Sequence, residues 1–154
     1  MKEVVFVFHQ GRNWFNNLTR FLTQGKYTHV SIMLDDTVYE AVELRGVIKH
    51  DYGSFYKTIS RRRGRTYVTI RVSNKKFKQF KAFLEEQVGK KYDYYGILNF
   101  VFSRIQPRYG YWYCSELAQS LFYILYEEPI GRLVSPQRFY ERLFYHFKLG
   151  NRHE

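Results

Sequence analysis

The sequence predicts an α+β domain, an antiparallel sheet packed by several helices. Short β-rich runs separated by turn signals crowd the first half of the chain, and apolar stripes at helical spacing dominate the second. Neither a repeat nor a low-complexity linker divides the 154 residues, so residues 1–154 read as one domain, large enough to bury a core.

Taken in order, "EVVFVF" (3–8) is a nearly continuous apolar run and reads as a buried strand. "NWFNNLTRFLTQG" carries Trp14, Phe15, Leu18, Phe21 and Leu22 at helical spacing, opened by Asn13 and closed by Gly25. "YTHVSIML" (27–34) and "TVYEAV" (37–42) are strand-like and flank Asp35-Asp36, a hairpin turn. "GVIKHD" (46–51) continues the meander, "YGSFYKTI" makes a short helix, and "TYVTIRV" (66–72) alternates as a strand. "NKKFKQFKAFLEEQVG" is a helix with Asn74 as cap, Phe77, Phe80, Phe83, Leu84 and Val88 on one face, and Gly89 past its end. "KKYDYYGILNFVFSRIQP" reads as a loop followed by an aromatic helix that stops before Pro107. "SELAQSLFYILYEE" (115–128) is a further helix, and "SPQRFYERLFYHF" opens the last one, with Ser135 at the cap and Pro136 at the first helical position.

Composition narrows the function classes. At 45% hydrophobic and 20% aromatic residues, the chain is far too apolar to be disordered. A single cysteine rules out an intramolecular disulfide framework and suits a reducing compartment. "VVFVF" is too short for a signal-peptide core, and no run approaches bilayer-spanning length. The expectation is a soluble protein, cytoplasmic or virion-associated. The 25 Lys and Arg against 14 Asp and Glu give a net charge of +11, a field that attracts nucleic acid, anionic lipid headgroups or acidic cell-wall polymer without choosing among them. The densest run, Arg61 to Arg65, reads as a solvated loop before a strand, with a dedicated anion site as the alternative. Basic residues are scattered and carry no RNA-binding signature, so no specific nucleic acid is expected.

The lone cysteine, Cys114 in "YWYCSEL", is either core packing or a nucleophile. It stands at the start of the helix predicted over 115–128, where unpaired amides and the helix dipole stabilise a thiolate. A nucleophile also needs a base. His153 and His146 lie in the tail and near the end of the last helix, and His50 ends a strand. His9, directly after the first strand, rivals His29 inside "THVSIML". A two-residue turn at Asp35-Asp36 pairs Leu34 with Thr37 and Ser31 with Glu40. Glu40 then becomes a diagonal neighbour of His29 on one face, placed to orient its ring and support imidazolium.

"GKYTHVSIMLDDTVYEAV", "GKKYDYYG" and "YWYCSEL", in that order, resemble the circularly permuted NlpC-type, papain-like cysteine hydrolases of the YiiX-like group. In that group the His strand precedes the Cys helix, reversing the ordinary NlpC order. The resemblance runs from the first strand through "VSPQRFYERL" and implies a permuted papain-like fold with Cys114 as nucleophile, His29 as base and Glu40 as orienting acid. It extends to lecithin retinol acyltransferase-like thiol enzymes, although "YCSEL" lacks the His that follows their Asn-Cys-Glu.

The function expected from these residues is a cysteine hydrolase, an amidase or peptidase, that cleaves an amide or related acyl bond through a thioacyl-enzyme. For a bacterial or phage protein the substrate would be cell-wall peptide. The Cys114 amide is one oxyanion donor; Tyr27 and Tyr113 are candidates for a second, and His9 for a substrate contact. No cluster shows metal-ligand spacing, and neither metal nor cofactor is expected. The alternatives are a membrane-surface thiol acyltransferase or lipase, and an idle virion- or nucleic-acid-associated binding module on the same fold.

Overall fold

The computed structural model describes residues 1–10, 17, 20–21, 24–60, 64–96, 109–126 and 134–150. Of the helix expected over 13–25, residues 17, 20 and 21 are helical and most of the rest lies outside the described residues. The aromatic helix before Pro107 and Arg61–Arg63 also lie largely or wholly outside them.

Five strands form one antiparallel sheet: β1 (Lys2–His9), β2 (His29–Leu34), β3 (Thr37–Val42), β4 (Gly46–Asp51) and β5 (Thr66–Val72), in the order β4-β3-β2-β1-β5. The sheet and the helices around it make the mixed α+β architecture expected from the sequence. β1 is nearly all apolar because both of its edges are paired and both of its faces covered. Val4, Phe6 and Phe8 enter one core, and Val7 enters the other. β5 lies at the sheet edge, and its alternation of buried and exposed residues reflects one solvated face.

The larger core lies between the sheet and three helices, α2 (Asn74–Gln87), α3 (Cys114–Tyr126) and α4 (Pro136–Gly150). On the opposite face the short helix α1 (Tyr52–Ile59) presses Phe55 and Ile59 onto Val7 and Val38. Asp51 caps α1 by accepting from the Ser54 amide at 2.9 Å. The cap of α2 is Ser73, whose hydroxyl accepts from the Lys76 amide at 3.2 Å, so Asn74 is the first helical residue rather than the cap. Ser135 caps α4, accepting from the Arg138 amide at 3.3 Å.

Two turns set the registers that matter. The β2–β3 hairpin turns on Asp35-Asp36, and Asp35 adopts the positive φ of 50° that a two-residue turn needs at its first position. Leu34 faces Thr37 and Ile32 faces Tyr39, which puts Ser31 level with Glu40. The β3–β4 turn carries Leu44 at φ 67° and returns through Gly46 at φ 75°. A side chain at Gly46 would collide with the Lys90 carbonyl, to which Val47 donates at 2.8 Å.

The segment after α2 corrects the sequence reading. β6 (Lys91–Tyr92) pairs in parallel with β7 (Tyr111–Trp112), a two-residue ladder that replaces part of the expected loop and leads straight into α3. Two-residue strands leave no periodic trace; long-range pairing alone creates them.

Candidate functional site

α3 begins at Cys114, one residue earlier than its apolar pattern suggests. Its first turn is held by a capping box closed from one side: the Glu116 carboxylate accepts from the Tyr113 amide at 3.3 Å. The Ser115 hydroxyl donates to the Val134 carbonyl at 2.5 Å, tying the helix start to the segment before α4. These contacts fix the thiol at a helix N-terminus, where Cys114 is only 1% exposed.

His29 is the first residue of β2 and points to the α1 face, whereas α3 packs on the other. The two side chains meet because the sulfur comes around the end of the strand, 4.0 Å from the Thr28 carbonyl. Cys114 then acts on the His29 ring through both its charge and a side-chain hydrogen bond. Nε2 of the ring lies 3.0 Å from Glu40 Oε2. Burial alone would lower the imidazole pKa. The thiolate charge, the hydrogen bond to sulfur and the Glu40 carboxylate outweigh it and push the value up to about 10.

Glu40 is held from three sides. Its Oε2 accepts from the Ser31 hydroxyl at 2.8 Å as well as from His29. Its Oε1 lies 3.1 Å from His50 Nε2, an ion-pair contact off hydrogen-bond alignment. Burial raises its pKa, but contacts from His29, His50 and Ser31 more than offset that and hold the carboxyl well below the usual range. Glu40 is therefore a carboxylate at neutral pH, and it favours imidazolium at His29.

His9 also belongs to the cluster. It pairs directly with His29 across β1 and β2, with ring centroids 4.8 Å apart, and its Nε2 lies 3.5 Å from the Ser31 hydroxyl. Tyr27 lies in the larger core, where its hydroxyl shares a 2.5 Å hydrogen bond with Thr66. Tyr113 immediately precedes the nucleophile candidate, its ring 5.8 Å from that of Tyr92. Tyr92 was not anticipated, yet it feels the charge of Cys114, and burial first, then neighbouring charge, raises its hydroxyl pKa well above the ordinary value. A hydroxyl so shifted stays protonated and able to donate.

The Ser31–Glu40 pairing expected from the hairpin is a hydrogen bond in the structure, whereas His50 is a partner of Glu40 that the sequence reading does not include. Carrying the meander one hairpin further would have found His50, which faces Val38 and is diagonal to Glu40 on the same face. A surface depression of about 570 Å³ lined by Met1, Lys2, Glu3, Val5, Met33, Asp35 and Arg71 shares no residue with this cluster.

Comparison with protein-family models, curated proteins and solved structures finds no match for this chain.

Glu116 supplies a pH-dependent test of the helix start. Burial, aided by the charge of Asp93 and opposed by the Tyr113 amide, raises its pKa to about 7. A raised carboxyl pKa stabilises the fold fully below the unfolded value of about 4.3, and that contribution is lost as pH rises through about 7. Glu116→Gln is therefore expected to gain thermal stability relative to wild type at pH 8 compared with pH 4. Melting curves at the two pH values check this; an equal difference at both would place Glu116 in solvent-like surroundings.

Proposed function

We propose that this chain is a cysteine hydrolase, an amidase or peptidase, in which Cys114, His29 and Glu40 act as nucleophile, acid-base and orienting carboxylate. The observation that carries the reading is the convergence on the His29 ring of the Glu40 carboxylate, 3.0 Å from Nε2, and of the Cys114 thiol, whose charge the ring feels, built by residues from three separate elements. The thiolate would attack the carbonyl carbon, and the protonated His29 would give its proton to the leaving amine. Water, activated by the same ring, would then cleave the thioester. The Cys114 amide at the helix start is the nearest backbone donor for the oxyanion, with a tyrosine hydroxyl from Tyr92 or Tyr113 as the second. The order of the His strand before the Cys helix supports a permuted papain-like arrangement of the NlpC type. The +11 charge suits an acidic polymer, and cell-wall peptide is the substrate class that combines such a polymer with amide bonds.

A second reading, a thiol acyltransferase or lipase at a membrane surface, draws on α4. Phe144 and Tyr145 are 55% and 65% exposed there, on the helix that also carries Arg138 and Arg142. No helix among the described residues is long and apolar enough to cross a membrane.

The test is to trap the acyl group. The full chain is mixed with cell-wall peptides and, in parallel, with acyl-ester lipids in vesicles, quenched in acid and analysed by intact mass. A peptidyl adduct on Cys114, absent from Cys114→Ser, is the expected result, and a fatty-acyl adduct would select the second reading. Alkylation by iodoacetamide at pH 7 gives a substrate-independent check, because burial slows wild type and His29→Ala alike. The rate should fall about tenfold or more in His29→Ala. Equal rates would mean that the thiol is idle.

A further inference from the structure

Three adjacent strands deliver two imidazoles and a carboxylate to one point. His9 ends β1, His29 opens β2 directly opposite it, and Glu40 lies within β3. One donor atom from each lies within 4.8 Å of the other two. His29 Nε2 and Glu40 Oε2 are 3.0 Å apart, near the roughly 3.3 Å edge of a tetrahedron with zinc–ligand bonds of about 2.0 Å. His9 stands at the same point, and the Ser31 hydroxyl links it to Glu40. The hydrolase reading gives His9 no chemical step, although the residue is fully buried beside that site.

The surroundings are those of a supported ion site. His50 approaches the second oxygen of Glu40 at 3.1 Å, and Phe55 closes over both His9 and His50 at ring distances of 6.3 and 5.4 Å. A ligating carboxylate anchored from outside, under an apolar lid, is the usual outer architecture of a metal centre. Two neutral nitrogens and one oxygen suit zinc and its neighbours. Calcium and magnesium prefer all-oxygen shells, and copper(I) prefers sulfur.

We propose that His9, His29 and Glu40 bind one zinc-class divalent ion, and that a filled site withdraws His29 from Cys114. The second half rests on the Cys-His-Glu reading. With Nε2 on the ion, the ring could serve the leaving group only by surrendering its last proton and becoming an imidazolate, so acid-base turnover stops. The ion would act as an inhibitor of thiol chemistry at this site.

The experiment titrates the full-length protein with Zn2+ by calorimetry and with Co2+ by visible absorption, which reports nitrogen and oxygen ligation directly. One saturating equivalent is expected, with affinity reduced at least a hundredfold in His9→Gln and retained within about tenfold in Cys114→Ser. His50→Ala should weaken binding by about 10- to 100-fold, the range for an outer partner. Circular dichroism confirms that each variant is folded, and the wild-type titration stands even if one is not. Absence of saturable binding, or equal affinity in His9→Gln, overturns the site. Loss in Cys114→Ser with retention in His9→Gln does the same, because the ion is then a thiolate adduct. Failure of the catalytic reading is separable: equal alkylation rates in wild type and His29→Ala, alongside a saturable cobalt spectrum, would keep the ion site and remove the triad.

Discussion

Glu40→Gln is expected to lower the rate of Cys114 acylation by about 10²- to 10⁴-fold while leaving the fold intact. The amide has the shape to remain in place. Its oxygen can accept from His29 and Ser31, as Oε2 does at 3.0 and 2.8 Å, and its NH2 group takes the place of Oε1, 3.1 Å from His50 Nε2. What the substitution removes is the charge that favours imidazolium. The measurement is single-turnover acyl trapping under conditions where wild type forms the adduct, with a urea titration to establish folding. An unchanged rate would reduce Glu40 to a structural link among three strands.

The second large effect concerns the His29 proton. Its ring should titrate near pH 10 in the wild type, and the midpoint should fall clearly in Cys114→Ala, which removes both the thiolate charge and the hydrogen bond to sulfur. Ring-carbon NMR of histidine-labelled protein follows this, with His29→Ala assigning the signal. The stability consequence has a definite sign. Because the folded pKa is raised, the contribution of the His29 proton is complete below the unfolded value of about 6.5 and is lost as pH rises through about 10. Stability should therefore fall across that interval in wild type and less steeply in Cys114→Ala. A His29 midpoint indifferent to Cys114 would mean that the thiol and ring are neighbours without being partners.

Much of this arrangement was legible from residue order. Strand β1 shows as a continuous apolar run, β5 in a period-two pattern and helix α2 in a period-3.6 pattern, each set by which sides of the element face a core. The Glu40–His29 contact followed from a two-residue turn at Asp35-Asp36, because turn length alone determines which residues oppose each other. Cys114 at a helix start followed from the apolar stripe behind it.

Other features came only with the tertiary structure. Cys114 and His29 stand 85 residues apart and belong to layers on opposite faces of the sheet; they meet only because the thiol rounds the end of β2 at the Thr28 carbonyl. The parallel β6–β7 ladder, which leads directly into α3, consists of strands too short to have a period. His50 at Glu40 and Tyr92 near the sulfur depend on neighbours supplied by other elements. His9, His29 and Glu40 have no ligand-like spacing in the chain, since their proximity arises from lateral pairing of three strands. Local patterns determine which elements form and which way they face. Which side chains converge is decided by packing between elements distant in the chain, and no single window of sequence contains both partners.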